Sequence, residues 1–209
     1  MVHRRVSPYI ELDSYNNNRA PMNTFKVADS VEHFDDYRLL AMKYVEWMKA
    51  TYSDYLPVIN QYYESLLSEL AALPGKFKAP DGCLLLVYDE ERALGAVAYK
   101  KLDAESCEMK SMFVDTSVHG NGVGTALARE IIRRAEAAGY QKMKLETGIR
   151  QVAAQRLYER LGFQDVAPYY PVSDTLRPLA RFMEIRLPRS PYLSSRDTCP
   201  FPAGDARRC

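Results

Sequence analysis

The spacing of apolar residues changes character along the chain. Phe34, Ala41, Tyr44, Val45 and Met48 recur at helical spacing and predict an amphipathic helix over about Val31–Lys49, with Asp29 or Ser30 as its N-cap. A second helical pattern runs through Ile59, Tyr62, Tyr63, Leu66, Leu67, Leu70 and Leu73 and stops at Pro74-Gly75. The period then shortens. Cys83–Tyr88, Leu94–Lys100 and Cys107–Val114 read as three strands joined by turns at Asp89–Arg92 and Asp103–Ser106, an antiparallel meander. Helix and strand alternate afterwards. Val123, Leu127, Ile131, Ala135 and Ala138 stripe a helix closed by Gly139; Lys142–Thr147 is a strand; Arg150–Leu161 is a helix ended by Gly162; Phe163–Val166 and Arg181–Leu187 are strands. With a short strand at Phe25–Ala28, the order predicts an α+β domain over residues 24–187 around a mixed sheet. Residues 1–23 read as an irregular polar arm and 188–209 as a Pro-rich, disordered tail.

Composition narrows the function classes. The 28 Lys and Arg balance 27 Asp and Glu, and no basic run marks a nucleic-acid footprint. No apolar stretch reaches the roughly 18 residues of a membrane span, and the charged start lacks the apolar core of a signal peptide. Cys83, Cys107, Cys199 and Cys209 match no zinc or CxxC spacing, so unbridged thiols, a cytoplasmic setting and no bound metal are expected.

The informative segment is His119-Gly120-Asn121-Gly122-Val123-Gly124, leading into a helix that opens at Thr125. A glycine-rich turn into a helix leaves backbone N–H groups unpaired and aligned, a seat for phosphate oxygens. The alternative is an ordinary loop without a ligand. A P-loop would follow the glycines with Lys, and here Val123-Gly124-Thr125-Ala126 follows. A dinucleotide fingerprint starting at Gly120, with Glu146 as ribose acceptor, conflicts with the meander that precedes it.

Three motifs together resemble the GNAT superfamily of acyl-CoA-dependent N-acyltransferases. They are Cys107-Glu108-Met109-Lys110-Ser111-Met112-Phe113-Val114, His119-x-x-Gly122-x-Gly124 and Ala154-x-x-Leu157-Tyr158-x-x-Leu161-Gly162-Phe163. The resemblance covers about Phe25–Leu187 and is greatest to small GNAT proteins of uncharacterised substrate that share Leu73-Pro74-Gly75-Lys76 and the Cys-Glu-Met-Lys strand. It implies a mostly antiparallel sheet of six to seven strands, splayed between the fourth and fifth and flanked by about four helices. It also implies acetyl-CoA as cosubstrate. The pyrophosphate would lie on His119, Gly120, Asn121, Gly122, Val123, Gly124 and Thr125, and the pantetheine arm along Met112, Phe113 and Val114. Main-chain N–H groups near Phe113–Val114 would polarise the thioester carbonyl. The family's first loop position is Gln or Arg; His119 departs from that and removes a fixed charge, and Ser111 stands where close relatives carry Arg. Gln151 replaces an Asn that touches the cofactor.

Acyl transfer to an amine requires the ammonium to lose a proton and the departing thiolate to gain one. The resemblance places Tyr158 as the acid; packing with Leu157 and Leu161 on one helix face is its other reading. Glu108 falls where family members carry a general base, yet Lys110 shares its strand face, so base and ion-pair partner stand side by side. His3 and His33 are not placed as bases, and Trp47 lies beside the first apolar stripe. In this fold the early helices and the segment between the last strands wall the acceptor pocket. Tyr52, Tyr55, Tyr62, Tyr63, Tyr169 and Tyr170 would line it or fill core, and Glu146 would meet an amine. Arg177 and Arg181 would instead meet a carboxylate-bearing acceptor. The expectation is an N-acetyltransferase acting directly on a small amine, with no nucleic-acid or membrane partner; a homodimer is left open, because the family often dimerises. A scaffold diverted to other chemistry and a non-catalytic acyl-CoA-binding module are the rivals.

Overall fold

A computed structural model describes residues 23–188. The expected arm and tail, with Cys199 and Cys209, lie outside the described residues except for Asn23 and Pro188. The described chain runs β1 (Thr24–Val27), α1 (Val31–Thr51), α2 (Leu56–Ala71), β2 (Gly82–Asp89), β3 (Arg92–Lys101), β4 (Ser106–Val114), α3 (Val123–Ala137), β5 (Lys142–Gly148), α4 (Val152–Leu161), β6 (Gln164–Asp165) and β7 (Ala180–Arg186). Seven strands form one sheet in the order β1-β2-β3-β4-β5-β7-β6, antiparallel throughout except for the parallel β4–β5 pair. This is the α+β architecture expected from the alternation of periods.

Both faces of the sheet are covered, which explains why β2 is a continuous apolar run rather than an alternating one. Leu85, Val87, Val97, Cys107, Met109, Met143, Leu145 and Met183 pack under α3 and α4, through Val123, Leu127, Ile131 and Tyr158. Leu84, Leu86, Ala96 and Ala98 pack under α1 and α2, through Tyr37, Leu40, Val45, Leu66 and Leu70. At about 1.5–3 kcal/mol for each fully buried aliphatic side chain, these two layers dominate the folding energy. Among the described residues, no helix is long and apolar enough to cross a membrane.

Local sequence places the ends. The Ser30 hydroxyl accepts from the His33 N–H at 3.2 Å and caps α1, and Gly162 ends α4 in the left-handed region. α3 starts at Val123, two residues before the expected Thr125, because Gly122 adopts the left-handed region and buried Val123 anchors the first turn. α4 starts at Val152, two residues after the expected Arg150, behind Gln151 as its N-cap.

Two ties fix connections of the sheet to α1 and its junction with α2. The Arg150 N–H donates to the Tyr52 hydroxyl at 3.0 Å, and the Arg150 guanidinium holds both carboxylate oxygens of Asp54 at 2.7 and 2.6 Å. The α1–α2 junction is thereby bound to the β5–α4 turn. Gly148 makes this possible: a Cβ there would run into the Tyr52 hydroxyl. The second tie is Asp115, which is 6% exposed. It accepts from the Lys43 ammonium at 2.6 Å and from the Ser117 hydroxyl and N–H at 2.7 and 3.0 Å, pinning the segment between β4 and α3 to α1. These partners, Lys43 first, hold its carboxyl well below the usual carboxylate range.

Gly148→Ala is expected to cost about 1–3 kcal/mol by overpacking against Tyr52, read as a lowered melting temperature; an unchanged melting curve would show that Tyr52 yields freely. Asp115→Ala should cost about 1–2 kcal/mol near neutral pH through the lost cap. Because the folded carboxyl titrates below the unfolded one, that contribution is complete above about pH 4 and fades as pH falls. Melting curves of wild type and variant should therefore converge in acid.

Candidate active site

Along β4 one residue breaks the ladder. Ala96 faces Phe113 and Ala98 faces Lys110, so two steps on β3 match three on β4. The surplus is absorbed at Ser111, which takes a positive φ of 55°. The bulge shifts the alternation of side chains: Cys107 and Met109 face the α3–α4 layer, and past it so do Met112 and Val114. On the other edge, β4 pairs with β5 only from Ser106↔Lys142 to Met109↔Leu145. Beyond Met109 the two strands part, and Met112, Phe113 and Val114 present a strand edge with no partner strand on that side. This is the splay implied by the resemblance, and the bulge is its physical cause.

The glycine loop closes one end of this slot. Gly120 and Gly122 have φ of 85° and 78°, and a Cβ at either would meet nothing within 4 Å. The space above the loop is open. Gly122 caps α3 without a side-chain hydrogen bond, and among the described residues the N–H groups of Val123, Gly124 and Thr125 have no intramolecular acceptor. Asn121 is exposed, its N–H reaching the Val118 carbonyl at 3.4 Å. His119 Nε2 donates to the Val114 carbonyl at 2.9 Å, since a carbonyl only accepts. The ring thus staples the loop to the end of β4. The donor set and the empty cradle fit a pyrophosphate.

Tyr158 stands on the α3–α4 side of the slot, 5% exposed, with its ring 5.7 Å from that of Phe163. Burial raises its pKa above the ordinary phenol value, with a smaller contribution from Tyr44. Its hydroxyl has no hydrogen-bond partner among the described residues.

The polar residues gather on the opposite face. Glu108 is 3% exposed, and its carboxylate lies 3.0 Å from the Lys100 ammonium and 3.8 Å from that of Lys110. It also accepts from the Tyr169 hydroxyl at 2.9 Å. The ion-pair reading of Glu108 therefore has a second cation, from the strand paired across it at Lys100↔Glu108. Tyr170 donates to Glu146 in a short hydrogen bond, and Tyr169, Tyr170 and Phe182 pack edge to face at 5.4–5.5 Å. Burial, then the neighbouring carboxylates, raises the pKa of both tyrosines. The segment between β6 and β7 thus folds over the splayed strands, bringing Glu108, Glu146, Tyr169 and Tyr170 together. A narrow apolar cavity lined by Tyr37, Tyr44, Tyr62, Ser111 and Phe113 adjoins them under α1 and α2.

Two expected site residues are held elsewhere. Arg181 lies on the α3–α4 face, bound to Asp165 at 2.6 Å and Glu159 at 2.7 Å, which raise its pKa further. The signal was present: Arg181 shares its strand parity with Met183 and Ile185, the apolar face of β7. Gln151 commits both ends of its amide within the protein. Its oxygen accepts from Thr147 Oγ1 at 2.8 Å and the Gly148 N–H at 3.3 Å, and its nitrogen donates to the Tyr44 hydroxyl at 2.7 Å. Lys100, Lys43 and Asp115 went unnoticed in sequence because their partners lie far along the chain or depend on strand register. Arg177 is exposed. Trp47 stacks on Tyr44 with centroids 5.9 Å apart, as packing beside the first stripe suggests.

Comparison with known proteins agrees with this geometry. The pattern of the Acetyltransferase (GNAT) family matches residues 41–163. An uncharacterized N-acetyltransferase of Dictyostelium discoideum is 22% identical over 206 residues, 69% of this chain and 91% of its own length. N-acetylaspartate synthetase of Danio rerio is 32% identical over 146 residues, 66% of this chain, which spans only 52% of that relative. The crystal structure of PaiA N-acetyltransferase from Thermoplasma acidophilum, in complex with coenzyme A, superposes with a TM-score of 0.56 at 16% identity, covering 78% of this chain and 99% of that one. With a splayed β4–β5 pair, an open glycine cradle and a family match across more than half its length, the chain belongs to the GNAT family of acetyltransferases.

Proposed function

We propose that the protein transfers the acetyl group of acetyl-CoA to the primary amine of a small-molecule acceptor in one direct step. The observation that carries this reading is the end of β4–β5 pairing at Met109↔Leu145, beside an open ring of backbone donors. An amide-bearing arm suits a free strand edge, and a diphosphate suits the start of α3. Coenzyme A in the Thermoplasma structure and the name of the Danio rerio relative support the same assignment.

The residues divide the work as follows. Backbone N–H groups of Val123, Gly124 and Thr125 hold the pyrophosphate, and those of Met112–Val114 hold the arm and polarise the thioester carbonyl. The acceptor nitrogen, once deprotonated, attacks the carbonyl carbon; the C–S bond breaks, and Tyr158 gives its proton to the leaving sulfur. The apolar surroundings raise the pKa of the phenol and of a thiol alike, so they set neither against the other. Burial pushes the Cys107 thiol in the same layer up to about 12, and a thiolate released beside Tyr158 would be penalised in the same way. The phenol regains its proton from solvent.

Thiol release from acetyl-CoA over a panel of primary amines tests this. Tyr158→Phe should lower kcat by about 10²–10⁴-fold while leaving the Kd for CoA, measured by calorimetry, within about twofold. If wild type binds CoA yet releases thiol with no amine, the catalytic assignment is overturned; if it does not bind CoA at all, so is the cradle.

A further inference from the structure

The charges of the sheet face that carries Glu108 are unequal at the two lips of the slot; Lys142 and Arg186, which share this face without a carboxylate partner among the described residues, stand at the far end of β5 and β7. Lys144 and Glu184 neutralise one another at 3.6 Å. Arg181 lies on the opposite face with Asp165 and Glu159. On the β4 lip, however, the single carboxylate of Glu108 has two ammonium groups, Lys100 at 3.0 Å and Lys110 at 3.8 Å, so one positive charge is in surplus. On the β5 lip Glu146 bonds the neutral Tyr170 hydroxyl and has no Lys or Arg ion-pair partner among the described residues. One negative charge is in surplus there.

Register sets these two surpluses opposite each other. The last paired residues are Met109 and Leu145, so Lys110 and Glu146 are the next positions on the two lips. Both project to the face of Glu108 and Lys144, two residues before each. Paired strands stand about 4.8 Å apart, and past this point the gap widens, leaving room for a ligand between the two side chains. They form no ion pair with one another among the described residues. Tyr169 and Tyr170 each bond one of the two carboxylates, Glu108 and Glu146, and so roof the gap. Glu146 is also close enough to raise the pKa of Tyr44 and Tyr62 on the helices opposite. Partly buried charges of opposite sign, each short of a partner, are best satisfied together by one molecule that supplies both complements.

Resting on the transferase reading above, we infer that the acceptor is an amino acid, its ammonium seated on Glu146 and its carboxylate on Lys110. Glu146 takes one proton from that ammonium; the freed nitrogen forms the new C–N bond as the C–S bond breaks and Tyr158 protonates the sulfur, and the nitrogen then loses its second proton to water while the phenolate regains one. The net products are the N-acetyl amino acid, CoA thiol and one proton released to solvent. Glu108, held between two lysines, positions Lys110.

The test compares common α-amino acids and β-alanine with their carboxamides and their decarboxylated amines, by thiol release and by calorimetry in the presence of CoA. At least one amino acid should exceed its carboxamide and its amine by about tenfold or more in kcat/KM, and should bind about tenfold more tightly. Lys110→Met should bring the acid-to-amide ratio close to one, Lys110→Arg should preserve it, and Glu146→Gln should weaken binding of the amino acid. Equal use of acid and amide by wild type, or a ratio unmoved by Lys110→Met, overturns the inference while leaving amine acetylation intact. Selective, Lys110-dependent binding without turnover upholds the site and overturns the transferase reading instead. Failure of every amino acid to bind more tightly than its amide overturns the inference whatever the turnover.

Discussion

One surplus residue in β4 organises the molecule. A parallel pair of strands would ordinarily continue along its full length, and β4 and β5 are both long enough to do so. The left-handed turn at Ser111 bends β4 away after four paired residues and reverses which side chains face which layer. Hydrogen-bonding capacity that a sheet would normally consume is thereby left available in the middle of the fold. Such capacity is costly to leave empty in an apolar interior, and it is most useful where an amide-rich substrate arrives.

The two sides of the opening have different physical character. The α3–α4 side is dry: Tyr158 sits among Met109, Leu145, Val123 and Leu127, where charge is disfavoured and a phenol stays protonated. The other side collects lysines, carboxylates and tyrosine hydroxyls above the same strands. Period-2 alternation is the reason. Residues one apart on β4 and β5 face opposite layers, so buried Tyr158 and the cluster of lysines, carboxylates and tyrosine hydroxyls are separated by the thickness of a sheet rather than by distance along the chain.

Much of this was legible before any coordinates. The apolar stripes placed all four helices, and the changes of period placed the strands to within two residues. The motif His119-x-x-Gly122-x-Gly124 located the open loop, in which Gly120 and Gly122, though not Gly124, adopt positive φ. What escaped was tertiary. Ser111 carries no glycine signal for its left-handed backbone, so the bulge was invisible; the pairing of Lys100 with Glu108 lies on the other side of it and depends on how the Asp103–Ser106 turn sets the register. Lys43 and Asp115 are 72 residues apart and meet only because α1 crosses the end of β4. Gln151 has the chemistry of a ligand-binding amide, yet its neighbours Thr147, Gly148 and Tyr44 satisfy it first. Arg181 has the charge to meet a carboxylate, yet its parity puts it beside Asp165 and Glu159, which its guanidinium binds.

The amide of Gln151 and the guanidinium of Arg150 join α1, the end of β5 and the start of α4 in one rigid node. α1 and the helix that carries Tyr158 are therefore tied together through side-chain hydrogen bonds. A substitution that loosens Gln151 or Arg150 would be felt in both, whereas the segment bearing Tyr169 and Tyr170 is anchored separately, on Glu108, Glu146 and Phe182.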